Sequence, residues 1–317
     1  MLAETEESEV RSENALGAVG RTPLVRLKAF EPDGGAELWI KLEGGNPTGS
    51  YKDRMAVSVL CRAMERGELN VGDRVVEYTG GSTGTALAFV SAVLGLRFTA
   101  VFSDAFSESK RKAMKAFGAE VLVEKSVDGT ITPDLIRRMK ARAFALAEEP
   151  GSFYADQFGS PDVRAGYEPM GSEIAADLGR EIDVLVSAVG TGAALMGTAD
   201  GLSKEGVSPN VVALEPLQSP FLTTGKGGAH RVEGIGVGFE PPFLDRAKVG
   251  DIRAIDQEMA FDMCRRLASG AGIFCGGSTG LNVVAAIELA RELGPGKRIV
   301  TLGCDNGSKY LGGQIYA

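Results

Sequence analysis

The sequence predicts an α/β protein made of two three-layer lobes with mainly parallel sheets. Three observations carry that expectation. Short β-rich runs alternate with longer helical patterns, which implies βαβ crossovers. Two of the runs empty into Gly-rich turns that open a helix. A length of 317 residues leaves room for two such units, at roughly 100–200 residues each.

In chain order, strands are expected at Leu38–Leu42, Arg74–Tyr78, Phe98–Phe102, Glu120–Val123, Val184–Val189, Asn210–Glu215 and Arg298–Leu302. Helices are expected at Asp53–Arg66, Gly84–Leu94, Glu108–Phe117, Pro133–Glu148, Arg164–Leu178, Met259–Leu267 and Gly280–Leu293. No repeat is evident and no Pro/Ser-rich linker cuts the chain. The two lobes are therefore closely packed: 15–42 plus 153–317 form the larger, and 43–152 the smaller, mobile one. Residues 1–14, acidic and polar, read as a flexible arm without the features of a signal peptide.

Composition narrows the function. Apolar residues at 44% and charged residues at 24% suit an ordinary soluble core. A net charge of −8 argues against a nucleic acid or an anionic membrane as partner. The longest apolar stretch, Thr85–Leu96, is too short to cross a bilayer. Four scattered cysteines form neither a disulfide framework nor a zinc site. One histidine, His230, leaves little for a metal centre or a Ser-His-Asp triad. The chain reads as soluble, reduced and cytoplasmic, with no metal.

Three motifs carry chemistry. Gly190-Thr191-Gly192-Ala193-Ala194 follows a strand and opens a helix. Small residues there let backbone N–H groups converge on a phosphate, yet the same run also reads as a tight strand-to-helix turn. Thr79-Gly80-Gly81-Ser82-Thr83-Gly84 follows another strand. Ligands of open α/β sheets bind at such carboxyl ends. Asn46-Pro47-Thr48-Gly49-Ser50-Tyr51-Lys52-Asp53-Arg54 places a lysine at a helix start, where the helix dipole disfavours an ammonium. Most lysines are merely solvated. One so placed should have a lowered pKa, suiting a nucleophilic amine.

Together these residues resemble the cysteine synthase / cystathionine β-synthase family, fold-type II enzymes dependent on pyridoxal phosphate with a tryptophan synthase β-like fold. The resemblance runs from Gly20-Arg21-Thr22-Pro23-Leu24 through Lys52, Thr79–Gly84, Gln157-Phe158, Gly190–Gly192, Gly234-Ile235-Gly236 and Gly276-Gly277-Ser278 to Asp305-Asn306-Gly307. It implies that Lys52 holds the cofactor covalently and moves the proton at Cα. Gly190, Thr191 and Gly192, with Ala193 and Ala194, cradle the phosphate. Thr79, Gly80, Gly81, Ser82, Thr83 and Gln157 bind the substrate carboxylate. Ser278, or Thr279 beside it, faces the pyridine nitrogen. A neutral hydroxyl there makes the ring a weaker electron sink than a carboxylate would, favouring loss of a β-leaving group.

The implied activity is β-replacement on an activated serine, O-acetylserine or similar, through an aminoacrylate. A small nucleophile such as sulfide then gives cysteine or a β-substituted alanine. Elimination alone, as in a cysteine desulfhydrase or serine/threonine dehydratase, is the alternative. A non-catalytic regulatory homologue is more distant. A nicotinamide oxidoreductase with Glu215 on the ribose leaves Lys52 unexplained. Relatives imply a homodimer. The chain departs from the family at Gly80 (usually Ser), Ser82 (usually Asn, toward the cofactor ring) and Ala193-Ala194 (usually Gly-Thr). Gly80 is expected to free space beside the substrate.

Overall fold

A computed structural model describes residues 12–317. Residues 1–11 of the expected arm lie outside the described residues; Asn14 already caps a short turn, its side chain accepting from the Leu16 N–H at 3.0 Å. The elements run β1 (Leu24–Arg26), β2 (Glu37–Leu42), α1 (Lys52–Glu65), β3 (Arg74–Tyr78), α2 (Ser82–Leu94), β4 (Arg97–Ser103), α3 (Glu108–Ala116), β5 (Glu120–Glu124), α4 (Pro133–Ala147), β6 (Ser152–Tyr154), α5 (Pro161–Ala165), α6 (Glu168–Leu178), β7 (Val184–Ala188), α7 (Ala193–Lys204), β8 (Asn210–Pro216), α8 (Phe221–Thr224), β9 (Asp251–Ile255), α9 (Gln257–Ala271), α10 (Gly277–Leu293) and β10 (Arg298–Gly303).

They build two sheets. The larger has the order β1-β2-β10-β7-β8-β9, with only β1 antiparallel; the smaller, β5-β4-β3-β6, is wholly parallel. The expected boundary at 152/153 falls inside β6, where Ser152, Phe153 and Tyr154 pair with Arg74, Val75 and Val76. All three belong to the smaller sheet.

The two-residue period of the strands decides the packing. In the smaller sheet Val76 and Val101 turn toward Leu135, Met139 and Ala143 of α4. Val75, Phe98 and Ala100 turn the other way, into a cluster with α1 and α2. That cluster continues onto Leu185, Ala213 and Val300 of the larger sheet, so one apolar core is shared between the sheets. The opposite face of the larger sheet, with Val186, Val212 and Leu214, packs on α9 and α10. The helix expected at Arg164–Leu178 is two: α5 ends near Gly166, and Pro169, which lacks an N–H, is tolerated only in the first turn of α6.

Charged residues pin the start of α1 to the larger sheet. Arg54, almost fully buried, donates to Glu43 at 2.6 and 2.8 Å and to Glu173 at 2.7 and 2.8 Å. Lys41 adds a 2.9 Å ion pair to Glu173. Replacing Arg54 by Ala leaves Glu43, 0% exposed, without its cation. Stability is expected to fall by about 3–5 kcal/mol, read as the midpoint of chemical denaturation. An unchanged midpoint would show that the network is dispensable.

Candidate active site

The carboxyl ends of β7 and β10 lie side by side, because the two strands pair in parallel. The lysine loop is stitched to that edge. Ser50 bridges to Asp305, the Tyr51 N–H donates to the Cys304 carbonyl at 3.1 Å, and the Asn306 N–H donates to the Gly49 carbonyl at 2.9 Å. Asp53 completes the loop by accepting from the Thr48 N–H at 2.7 Å and from its hydroxyl at 2.5 Å. Lys52 is thereby presented as the first residue of α1, its ammonium 4.5 Å from the centre of the Tyr51 ring. Tyr51 itself is buried and packs on Tyr167 at 5.5 Å. Burial pushes Lys52 down to about 8; Cys304 and Asp305 oppose the shift and Lys309 adds to it. A lowered amine is what the sequence leads one to expect, though the main cause is desolvation.

Next to this loop stands the N-terminus of α10. Thr279 spends its hydroxyl on the Cys304 N–H, at 3.0 Å. Ser278 faces the Cys304 thiol, which burial pushes up to about 12 and which has Lys52 as a neighbour. Lys52 and Ser278 thus share Cys304 as a neighbour, and Thr279 is tied to the same residue through its hydroxyl oxygen. Cys304 and Asp305 were not legible as site residues. Asp305 is buried, accepts from the Tyr310 hydroxyl at 2.6 Å and is raised by burial.

Gly190–Gly192 leads into α7, whose N-cap, Gly192, brings no side chain, while the Thr191 hydroxyl accepts from the Ala193 N–H at 3.3 Å. A Cβ on Gly190 would meet the Gly234 carbonyl at 2.4 Å. One on Gly192, which has φ +87°, would meet the Leu244 nitrogen at 2.6 Å. Glycine is therefore required at both positions. A helix start of small residues fits a phosphate, and a depressed lysine fits a carbonyl-bearing cofactor.

Thr79–Gly84 closes the end of β3. The Thr79 hydroxyl accepts from the N–H groups of Gly81 and Gly84, at 3.0 and 3.1 Å. Gln157 joins this loop: its side-chain amide donates to the Tyr78 carbonyl at 3.0 Å and accepts from the Thr83 hydroxyl at 2.8 Å. Beneath it, the buried Glu77 accepts from the Gln157 N–H at 2.9 Å and is pushed up to about 8 by burial. Ser82 opens α2 and lines a cavity of about 430 Å³ with Thr48, Thr85, Lys110, Asn306 and Lys309.

Three other residues singled out by their chemistry are held by the fold. Lys110, whose neighbours Arg111 and Lys112 in the sequence suggest a solvated helix face, is buried over Gly81 and pairs with Glu233. Glu215 is buried and accepts from the N–H groups of Leu222 and Thr223, at 2.6 and 2.9 Å, so it is unavailable to a ribose. His230 hydrogen-bonds the Gly236 carbonyl at 3.0 Å. Among the described residues no helix is long and apolar enough to cross a membrane.

A glycine loop, a lysine of lowered pKa and a helix-start hydroxyl at the carboxyl ends of the larger sheet, with a second glycine loop at the end of the smaller one, suit a cofactor-dependent α/β enzyme. The family model described as "Pyridoxal-phosphate dependent enzyme" matches residues 15–305, and the chain belongs to that family. It is similar to a cysteine synthase of Staphylococcus aureus, at 36% identity over 96% of this chain and 97% of the relative. It is also similar to the O-ureido-L-serine synthase of Streptomyces lavendulae, at 37% identity over 93% and 90% of the two chains. Among solved structures, the cysteine synthase of Entamoeba histolytica superposes with a TM-score of 0.91 at 32% identity, covering 100% of this chain and 94% of the other.

Proposed function

We propose that this enzyme carries out β-replacement on an O-activated L-serine such as O-acetylserine, using sulfide or another small nucleophile. The observation that carries the reading is the neutral Ser278 hydroxyl at the start of α10, which has the Cys304 thiol as a common neighbour with Lys52. Bound there, pyridoxal phosphate supplies an electron sink for charge developing at the amino acid's Cα. The backbone from Gly190 to Ala194 holds the phosphate on the dipole of α7. Lys52 anchors the cofactor and, with its pKa near pH 8, both takes and returns the Cα proton. Thr79–Thr83 and Gln157 hold the carboxylate and fix which bond at Cα stands ready to break. Ser278 offers a neutral hydroxyl instead of a carboxylate, so charge at Cα is best relieved by expelling the β-substituent.

The same reading assigns cofactor binding to a larger lobe and substrate-linked movement to a smaller one, with the division placed after Tyr154. It also takes the enzyme to be a cytoplasmic homodimer. The test is incubation with O-acetylserine, with and without sulfide. Cysteine in the first and little pyruvate in either is the expected result. Equal pyruvate in both would make the enzyme a lyase.

A further inference from the structure

At Gly80, neither a positive φ nor a backbone contact stands against a side chain. Its φ lies outside the left-handed region, so an L side chain is conformationally allowed there. What a Cβ would meet is a single ring: Phe106 Cε1 at 3.0 Å, Cδ1 at 3.3 Å and Cζ at 3.4 Å. The space expected to lie open beside the substrate is therefore filled.

The filler is held in place. Phe106 closes the turn after β4, its N–H donating to the Ser103 carbonyl at 3.2 Å, and its ring packs on Phe102 at 5.4 Å. It is only partly buried, so part of the ring remains accessible. Four residues on, Lys110 lies over Gly81 and reaches Glu233 on the far side of the cleft. The segment from Phe106 to Lys110 thus roofs the two glycines, and each glycine is matched to the side chain above it.

We propose that Phe106 is a specificity-determining residue, standing where a side chain at position 80 would otherwise project. The inference rests on the assignment of Thr79–Thr83 to the amino-acid carboxylate. An apolar ring there takes up space beside the carboxylate loop, which predicts a preference for activated serines over activated threonines, whose Cβ carries an extra methyl group.

The experiment compares kcat/KM of the holoenzyme for O-acetyl-L-serine and O-acetyl-L-threonine. It is paired with binding of L-serine and L-threonine, followed through the cofactor's absorbance. Phe106→Ala is expected to raise the threonine-to-serine ratio by roughly 10–200-fold, the range for a pocket change of this size. Gly80→Ser alone is expected to weaken binding of both amino acids, and Gly80→Ser with Phe106→Ala to restore it. Phe106→Leu, milder in volume, serves where the Ala variant does not fold.

An unchanged ratio in a folded Phe106 variant overturns the proposal, as does a Gly80→Ser defect that Phe106→Ala fails to relieve. Thr79→Ala separates this failure from that of the underlying reading. If it weakens amino-acid binding while Phe106 variants do not, only the specificity role falls. If neither changes binding, the carboxylate assignment falls with it.

Discussion

Lys52→Ala is expected to abolish covalent cofactor attachment and to cut turnover by at least the roughly 10²–10⁴-fold carried by positioned proton transfer. The fold should survive. The Lys52 ammonium rests on the Tyr51 ring at 4.5 Å, and the loop around it is held by backbone bonds to Cys304 and Asn306, which the substitution leaves in place. Borohydride reduction followed by mass spectrometry of the intact chain reads the attachment directly. A pH titration adds a signed test. Burial lowers the amine to about 8, and only the neutral amine attacks a carbonyl. Capture of added cofactor by the apoprotein should therefore slow about tenfold per pH unit below that value and level off above it. A variant that keeps near-normal turnover would remove Lys52 from the centre of the chemistry.

Gly192→Asp is expected to empty the site by a different route. At φ +87° any L side chain costs about 1–2 kcal/mol of backbone strain. The new Cβ would also press on the Leu244 nitrogen at 2.6 Å. A carboxylate then sits at the start of α7, where it competes for the dipole that a phosphate needs. Cofactor content after dialysis should drop more than tenfold. Gly192→Ala, which carries the strain without the charge, should retain more. Thermal melting of both apoproteins separates lost binding from lost folding. Full occupancy in the Asp variant would place the phosphate elsewhere.

What could be read in the sequence was local. The strands from β2 to β5, together with β7, β8 and β10, announce themselves as apolar runs, and the glycine loops follow two of them at fixed offsets. β1 and β6, three residues each, are too short to show a period. β9, Asp-Ile-Arg-Ala-Ile, is an edge strand and mostly half-buried, so its charges masked it. The site divided in the same way. Lys52, Thr79–Thr83, Gly190–Gly192 and Ser278 sit in motifs that a linear reading can find. Phe106, Lys110 and Cys304 act through partners far away in the chain. Gly80 shows the limit best: its lack of a side chain was visible, but not the ring 26 positions on that crowds the place of one.

The mounting of the lysine loop gives the site a fixed origin. Its bonds run to the end of β10, beside the β7 edge that leads into Gly190–Ala194, whereas Thr79–Thr83 hang from the other sheet. On the roles proposed above, a tilt of the smaller sheet would leave the loop's bonds to β10 in place and carry the carboxylate end of the substrate along. The coordinate that varies is then the angle at which the amino acid meets a stationary base. On that reading, opening the cleft would misalign the substrate without loosening the cofactor, so turnover could stop and start while the costly assembly of the holoenzyme is left undisturbed.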